Sequence, residues 1–168
     1  MRNQISNIKY QISKSNIGKL EGTIDISNKG ETKRVAKAEA LVKLKSEVIK
    51  LIKDNKIFKG DVLENARLAG IMAAKKTHDL IPLCHPLRIT DIKISFAVIN
   101  RGIRIISQVQ ALERTGVEME ALVSCTICAL TIYDMCKMYD KAIEIKNIVL
   151  LEKHGGKGGT FKRAKMES

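Results

Sequence analysis

Residues 91–111, DIKISFAVINRGIRIISQVQA, decide the fold. Ile92, Ile94, Phe96 and Val98 recur at every second position, as do Ile103, Ile105 and Val109 after the tripeptide Asn100-Arg101-Gly102. Two period-two runs around a turn signal predict a β-hairpin with one apolar face. Upstream, Asp61 is a natural N-cap for a helix over VLENARLAGIMAAKKTHDL, residues 62–80. Its small residues, Ala66, Ala69, Gly70, Ala73 and Ala74, predict the close approach of another backbone. Before it, TKRVAKAEALVKLKSEVIKLIKD (32–54) reads as one long amphipathic helix with Val35, Ala38, Leu41, Val42, Val48, Leu51 and Ile52 as its stripe. GTIDIS (22–27) reads as a short strand, Ile24 and Ile26 sharing a face. Downstream come a helix through VEMEALVSCTICALTIYDMCKMYDK (117–141) and a strand at AIEIKNIVLL (142–151). The glycine-rich, basic stretch EKHGGKGGTFKRAKMES (152–168) is expected to be mobile until an anion binds. The order β-α(α)-β-β-α-β predicts an α+β, ferredoxin-like fold: an antiparallel sheet with helices on one face.

A chain of 168 residues fits one domain, and neither an internal repeat nor a linker divides it. No run of 18 apolar residues and no apolar leader at the N-terminus argue against a membrane span or secretion, and four cysteines then read as reduced thiols in the cytoplasm. With 30 Lys and Arg against 18 Asp and Glu, the net charge of +12 predicts an anionic partner. Three Tyr, three Phe and no Trp are few for a protein that stacks bases on a sheet, which counts against nucleic acid.

Four groups of residues could carry chemistry. Both prolines, Pro82 and Pro86, bracket Leu83-Cys84-His85 and stiffen that segment, which by itself is explained as a connector. Glu118 and Glu120 open a helix, where the macrodipole alone favours acids. Asp134 and Lys137, three apart near the other end of that apolar helix, suit either an ion pair or proton transfer. Glu120 and Asp134 are fourteen residues apart, roughly 21 Å along the axis, so two subunits would have to share a site that uses both. Cys125 and Cys128 form C-x-x-C without a second ligand pair, which favours small core residues over a metal or redox site. The flexible amides and cations of HGGKGGTFKR suit a phosphate, without a Walker loop. Fixed acids, one clamped histidine and loop lysines together suit an enzyme acting on a small polyphosphate.

GDVLENARLAGIMAAKKTHDLIPLCHPL (60–87), TGVEMEAL (115–122), ALTIYDMCK (129–137) and LLEKHGGKGGTFK (150–162) closely resemble the cyclic pyranopterin monophosphate synthase family, molybdenum cofactor biosynthesis protein C. The resemblance runs from Thr23 to Lys162. It implies a ferredoxin-like subunit in a homohexamer, a trimer of dimers with sites at dimer interfaces. It also implies a small-molecule substrate, 3′,8-cyclo-7,8-dihydroguanosine 5′-triphosphate, with cyclic pyranopterin monophosphate and pyrophosphate as products. Asp134 is implied as the active-site acid, with Lys137 as its partner. Leu83, Cys84, His85, Glu118, Met119, Glu120, Lys59, Lys75, Lys153 and Arg34 are implied to bind substrate. No cofactor, metal, nucleic acid or membrane is expected. Many members read Thr-Gly where this chain has Leu112-Glu113, and a small residue where it has His154, so the loop before Thr115 is expected to differ in shape. The division is expected to be an N-terminal arm (1–22), a catalytic domain (23–162) and a basic tail (163–168). A basic RRM-like nucleic-acid-binding module is the competing reading.

Overall fold

The 91–111 hairpin forms as predicted: β2 (Ile89–Ile99) and β3 (Gly102–Glu113) pair antiparallel, with Val98 opposite Ile103, Phe96 opposite Ile105 and Ile92 opposite Val109. The structure, a computed structural model, describes residues 22–164, so the expected arm before residue 22 and the end of the basic tail lie outside the described residues. Around the hairpin the chain runs β1 (Thr32–Lys43), α1 (Ser46–Lys53), α2 (Val62–Lys75), α3 (Thr77–Leu80), then β2, β3, α4 (Glu118–Cys136), β4 (Glu144–His154) and β5 (Phe161–Lys162). The sheet order is β2-β3-β1-β4-β5, every pairing antiparallel. β1 and β2 flank β3, and β3 and β4 flank β1, which is the interleaved double βαβ of a ferredoxin-like α+β fold.

Two elements differ from the sequence reading. Residues 32–43 are the central strand and not the first half of a helix, and residues 22–27 form no strand. Ala, Lys, Glu and Leu give 32–43 a strong intrinsic helix propensity, but tertiary pairing overrides it. Ala36, Ala38, Ala40 and Val42 alternate beneath the helices, each at most 1% exposed, so the strand is flat enough for α4 to lie across it. On the opposite face Glu39 is nearly buried and takes a charge-assisted bond from Arg104 Nε at 2.6 Å. The helix begins only at Ser46, burying Val48, Ile49 and Ile52.

α2 and α4 pack on each other and on the same sheet face. Asp61 caps α2 as expected, its carboxylate accepting the Leu63 and Glu64 N–H groups at 3.0 Å each. A Cβ on Gly70 would overlap the Cys128 sulfur and press on the Ser124 carbonyl, so the small-residue stripe does carry a close helix contact. Cys125 and Cys128 are fully buried here, Cys128 Sγ lying 3.2 Å from the Ala66 carbonyl, and burial pushes both thiols up to about 12. α4 is long and apolar enough to cross a bilayer, yet 56% of that window is buried between sheet and α2, which explains its all-round apolar sequence. Phe96, the aromatic of the central strands, also faces the helices, with the Arg67 guanidinium 5.1 Å from its ring centre. It is not displayed for base stacking.

Within the stretch 152–168 that was expected to be mobile, the described residues 152–164 form a hairpin, and residues 165–168 lie outside the described residues. β5 returns along β4, Gly155 and Gly156 take left-handed φ of +98° and +76° at the turn, and His154 Nδ1 meets the Thr160 hydroxyl at 3.2 Å across it.

Candidate active site

The proline-bounded segment begins where α3 ends. The Cys84 N–H bonds the Ile81 carbonyl at 3.1 Å, closing a turn that presents Leu83, Cys84 and His85 to a cavity of about 320 Å³. Glu118, Met119 and Glu120 at the start of α4 form the facing wall. Thr115 and Gly116 supply a third side, and Ile24 and Lys29 a fourth. Lys153 of β4 reaches Glu118 at 3.3 Å, so that acid is paired. Glu120 is 4% exposed; burial, with the Glu118 charge adding to it, pushes its carboxyl up to about 7 despite a hydrogen bond from its own backbone. It is therefore a half-protonated group at neutral pH, set against a thiol, Cys84, that burial and the Glu120 charge push upward in turn.

This arrangement has a measurable consequence for stability. Below the ordinary value of 4.5, Glu120 is protonated in both folded and unfolded chains. As pH climbs towards 7 the unfolded chain releases the proton first, so stability falls by up to about 3 kcal/mol and then levels off. Glu120→Gln is expected to remove this loss: the variant's stability advantage should grow between pH 5 and pH 8 in denaturant titrations. An advantage that stays constant across that range would mean that Glu120 does not titrate there.

A second cluster sits at the far end of α4. Asp134 Oδ2 accepts Lys59 Nζ at 2.6 Å and Oδ1 accepts Lys137 Nζ at 2.7 Å, while Lys59 also reaches the Asp134 carbonyl at 3.1 Å. Lys59 is placed by the Ile57–Gly60 turn, anchored where the Phe58 N–H bonds the Tyr139 hydroxyl at 2.9 Å. Hydrogen bonds from Lys137 and Lys59 hold the Asp134 carboxyl down at about 2, and the Asp134 bond pushes the Lys137 ammonium up. At neutral pH Asp134 is thus a carboxylate that orients the two lysine side chains.

The expected residues therefore fall into two groups within one chain. Leu83, Cys84, His85, Glu118, Met119 and Glu120 line one cavity, with Lys153 at its edge; Lys59, Asp134 and Lys137 form the other cluster. Fourteen residues of unbroken helix leave Glu120 and Asp134 within about 40° of each other around α4 but at its opposite ends, Glu120 buried and Asp134 half exposed. Arg34 spends its guanidinium on the loop before the cavity: Nε donates to the Glu113 carbonyl and Nη2 to the Arg114 carbonyl, both at 3.1 Å, and Nη1 lies against Gly156, where a Cβ would displace it. Lys75 ends α2, which runs antiparallel to α4, and is exposed near the cavity end of the helix pair. Lys29 and Thr115 were not anticipated. Lys29 lies between the stretches read as a strand (22–27) and a helix (32–54), and a lone loop lysine carries no pattern to single it out.

A carboxylate gripped by two lysines at one end of α4 and a cavity holding two acids at the other are thus carried on one ferredoxin-like α+β fold. The MoaC family model matches residues 23–156. The chain is 53% identical over 140 residues to the cyclic pyranopterin monophosphate synthase of Listeria welshimeri, covering 83% of this chain and 88% of that one. It is 51% identical over 142 residues to the synthase of Geotalea uraniireducens (83% and 89% covered), and 49% identical over 142 residues to cyclic pyranopterin monophosphate synthase 1 of Mycobacterium bovis (84% of each). The chain belongs to the MoaC family.

Proposed function

We propose that this protein is a cyclic pyranopterin monophosphate synthase of molybdenum cofactor biosynthesis, converting 3′,8-cyclo-7,8-dihydroguanosine 5′-triphosphate to cyclic pyranopterin monophosphate and pyrophosphate. The observation that carries the reading is the pair of acid–lysine groupings at the two ends of α4, in a chain about half identical to proteins of that name. Rebuilding a purine as a pterin requires several proton transfers, for which Asp134, Lys137, His85 and the glutamates have suitable chemistry. Closing the cyclic phosphate requires a sugar hydroxyl to attack the α-phosphate while its proton leaves to a base and pyrophosphate departs. Lys59, Lys75, Lys137 and Lys153 are the cations available to that developing charge, while Arg34 is held by the Glu113 and Arg114 carbonyls. The competing nucleic-acid reading keeps only charge and strand order in its favour, because Phe96, the aromatic of the central strands, packs under the helices.

The span of α4 keeps Asp134 away from the cavity of its own chain, so the complete site joins the Asp134 cluster of one subunit to the cavity of another. The assembly is a homohexamer built as a trimer of dimers, acting in the cytoplasm without nucleic acid or membrane partners. Its catalytic domain is residues 23–162, flanked by an arm and a basic tail.

Wild-type protein should release pyrophosphate and the cyclic product from the cyclo-dihydro-GTP intermediate in a single turnover; a folded oligomer that makes neither would refute the assignment. Sharing between subunits has its own test. Co-assembly of Asp134→Asn with Glu118→Gln, each inactive alone, should restore about a quarter of wild-type activity, since half the dimers are mixed and each carries one intact site. No recovery in verified mixed dimers would place both halves in one chain.

A further inference from the structure

Glu113 is nearly buried, and one oxygen of its carboxylate is engaged twice by Arg88. It ends β3, is 8% exposed, and its Oε1 accepts both the Arg88 main-chain N–H at 3.0 Å and Arg88 Nε at 3.2 Å. Arg88 follows Pro86-Leu87, so this carboxylate fastens the far end of the proline-bounded segment; the Cys84–Ile81 turn fastens the near end. Burial pushes the Glu113 carboxyl up, but the hydrogen bonds and charge of Arg88 outweigh it and hold the group below its usual range. The Glu113 and Arg114 carbonyls accept Arg34, and Arg114 Nη1 reaches the Ser27 carbonyl at 2.9 Å. Residues 113 and 114 are thus the junction of three cavity walls: Leu83–His85, Thr115–Gly116, and the segment bearing Ile24 and Lys29.

We propose that Glu113 is a positioning residue: through Arg88 it locks the Leu83-Cys84-His85 wall at a fixed distance from Glu118 and Glu120. The link to substrate rests on reading this cavity as the substrate pocket. The outer Arg88–Glu31 contact at 3.0 Å is exposed and contributes little, whereas the Glu113 carboxylate is nearly buried and takes a backbone donor that is left unpaired without it.

The test uses Glu113→Ala, Arg88→Ala, the double variant and Glu113→Gln, with two readouts. Cys84 is the one cysteine that is not buried, so modification by an aromatic disulfide reports the wall directly, without turnover. Glu113→Ala is expected to speed Cys84 modification about tenfold and to raise KM about tenfold, with kcat changed less than about threefold. Glu113→Gln, which keeps an oxygen for the Arg88 N–H, should recover most of both. The double variant should be no worse than Glu113→Ala, because the two residues act through one contact. Arg88→Ala removes an exposed side chain and should fold even if Glu113→Ala does not; a smaller change of the same sign in both readouts is expected. Unchanged Cys84 reactivity in Glu113→Ala, or in Arg88→Ala should the former fail to fold, would overturn the lock. Faster modification with unchanged KM would overturn its role in positioning substrate. Wild-type protein without turnover would defeat the assigned reaction, while Cys84 reactivity would still decide the lock.

Discussion

Asp134→Asn is expected to lose about 10²- to 10⁴-fold in single-turnover rate, the range for removing a group that takes part in proton transfer. The variant keeps size and shape, and at a half-exposed position it should leave the unfolding midpoint close to that of wild type. What it removes is the full negative charge that holds Lys59 at 2.6 Å and Lys137 at 2.7 Å, together with a carboxylate held at about 2 and hence ionised throughout the working range. An amide accepts through one oxygen only, so one lysine must let go. Substrate affinity should not fall, because a negative charge beside an anionic ligand has been deleted. The diagnostic pattern is therefore lost turnover with retained binding, read by chromatography of the product and by calorimetry with the substrate. Turnover within threefold of wild type would remove Asp134 from the chemistry and leave the cluster as a surface ion pair.

Gly70→Val is expected to cost about 3 kcal/mol or more, the upper end for forcing volume into a packed contact. Valine would gain somewhat over glycine in intrinsic helix propensity, which the overlap outweighs. The added carbons meet the Cys128 sulfur, the Ile94 side chain and the Ser124 carbonyl, of which the last is backbone of α4 and cannot rotate away. At roughly 3 °C per kcal/mol for a domain of this size, the melting temperature should fall by about 10 °C. Cys128→Ala in the same chain should return part of the loss by vacating the sulfur's place. A Gly70→Val protein as stable as wild type would mean that α2 and α4 do not approach as closely as described.

The hairpin, the α2 cap, the apolar α4 and the final strand were legible because each has one dominant local signal: period two, an aspartate before an apolar run, or glutamates opening a helix. Residues 32–43 were not, because Ala38, Leu41 and Val42 satisfy a helical stripe while Ala36, Ala38, Ala40 and Val42 satisfy an alternating one. Only pairing with β3 and β4 selects between them, and those partners lie far along the chain. The glycine hairpin was similarly hidden, since flexible composition does not reveal a strand two residues long. For the candidate site, residue types and motif order singled out acids, a histidine and lysines, most of which the structure gathers at the two ends of α4. They could not reveal that Arg34 would be occupied by carbonyls, or that Glu113 would tie the cavity walls together, because both depend on chain segments about eighty and twenty-five residues apart meeting in space.

α4 runs unbroken from Glu118 to Cys136, so the spacing between the cavity acids and the Asp134 cluster is set by backbone hydrogen bonds rather than by side-chain fit. Point changes along its middle alter packing but leave that spacing intact. A single-residue deletion between 121 and 133 would instead swing Asp134 by about 100° around the axis and draw it in by about 1.5 Å relative to Glu118. Descent within this lineage should therefore admit substitutions in the helix while rejecting insertions and deletions, and length changes should collect in the segments before Thr32 and after Lys162.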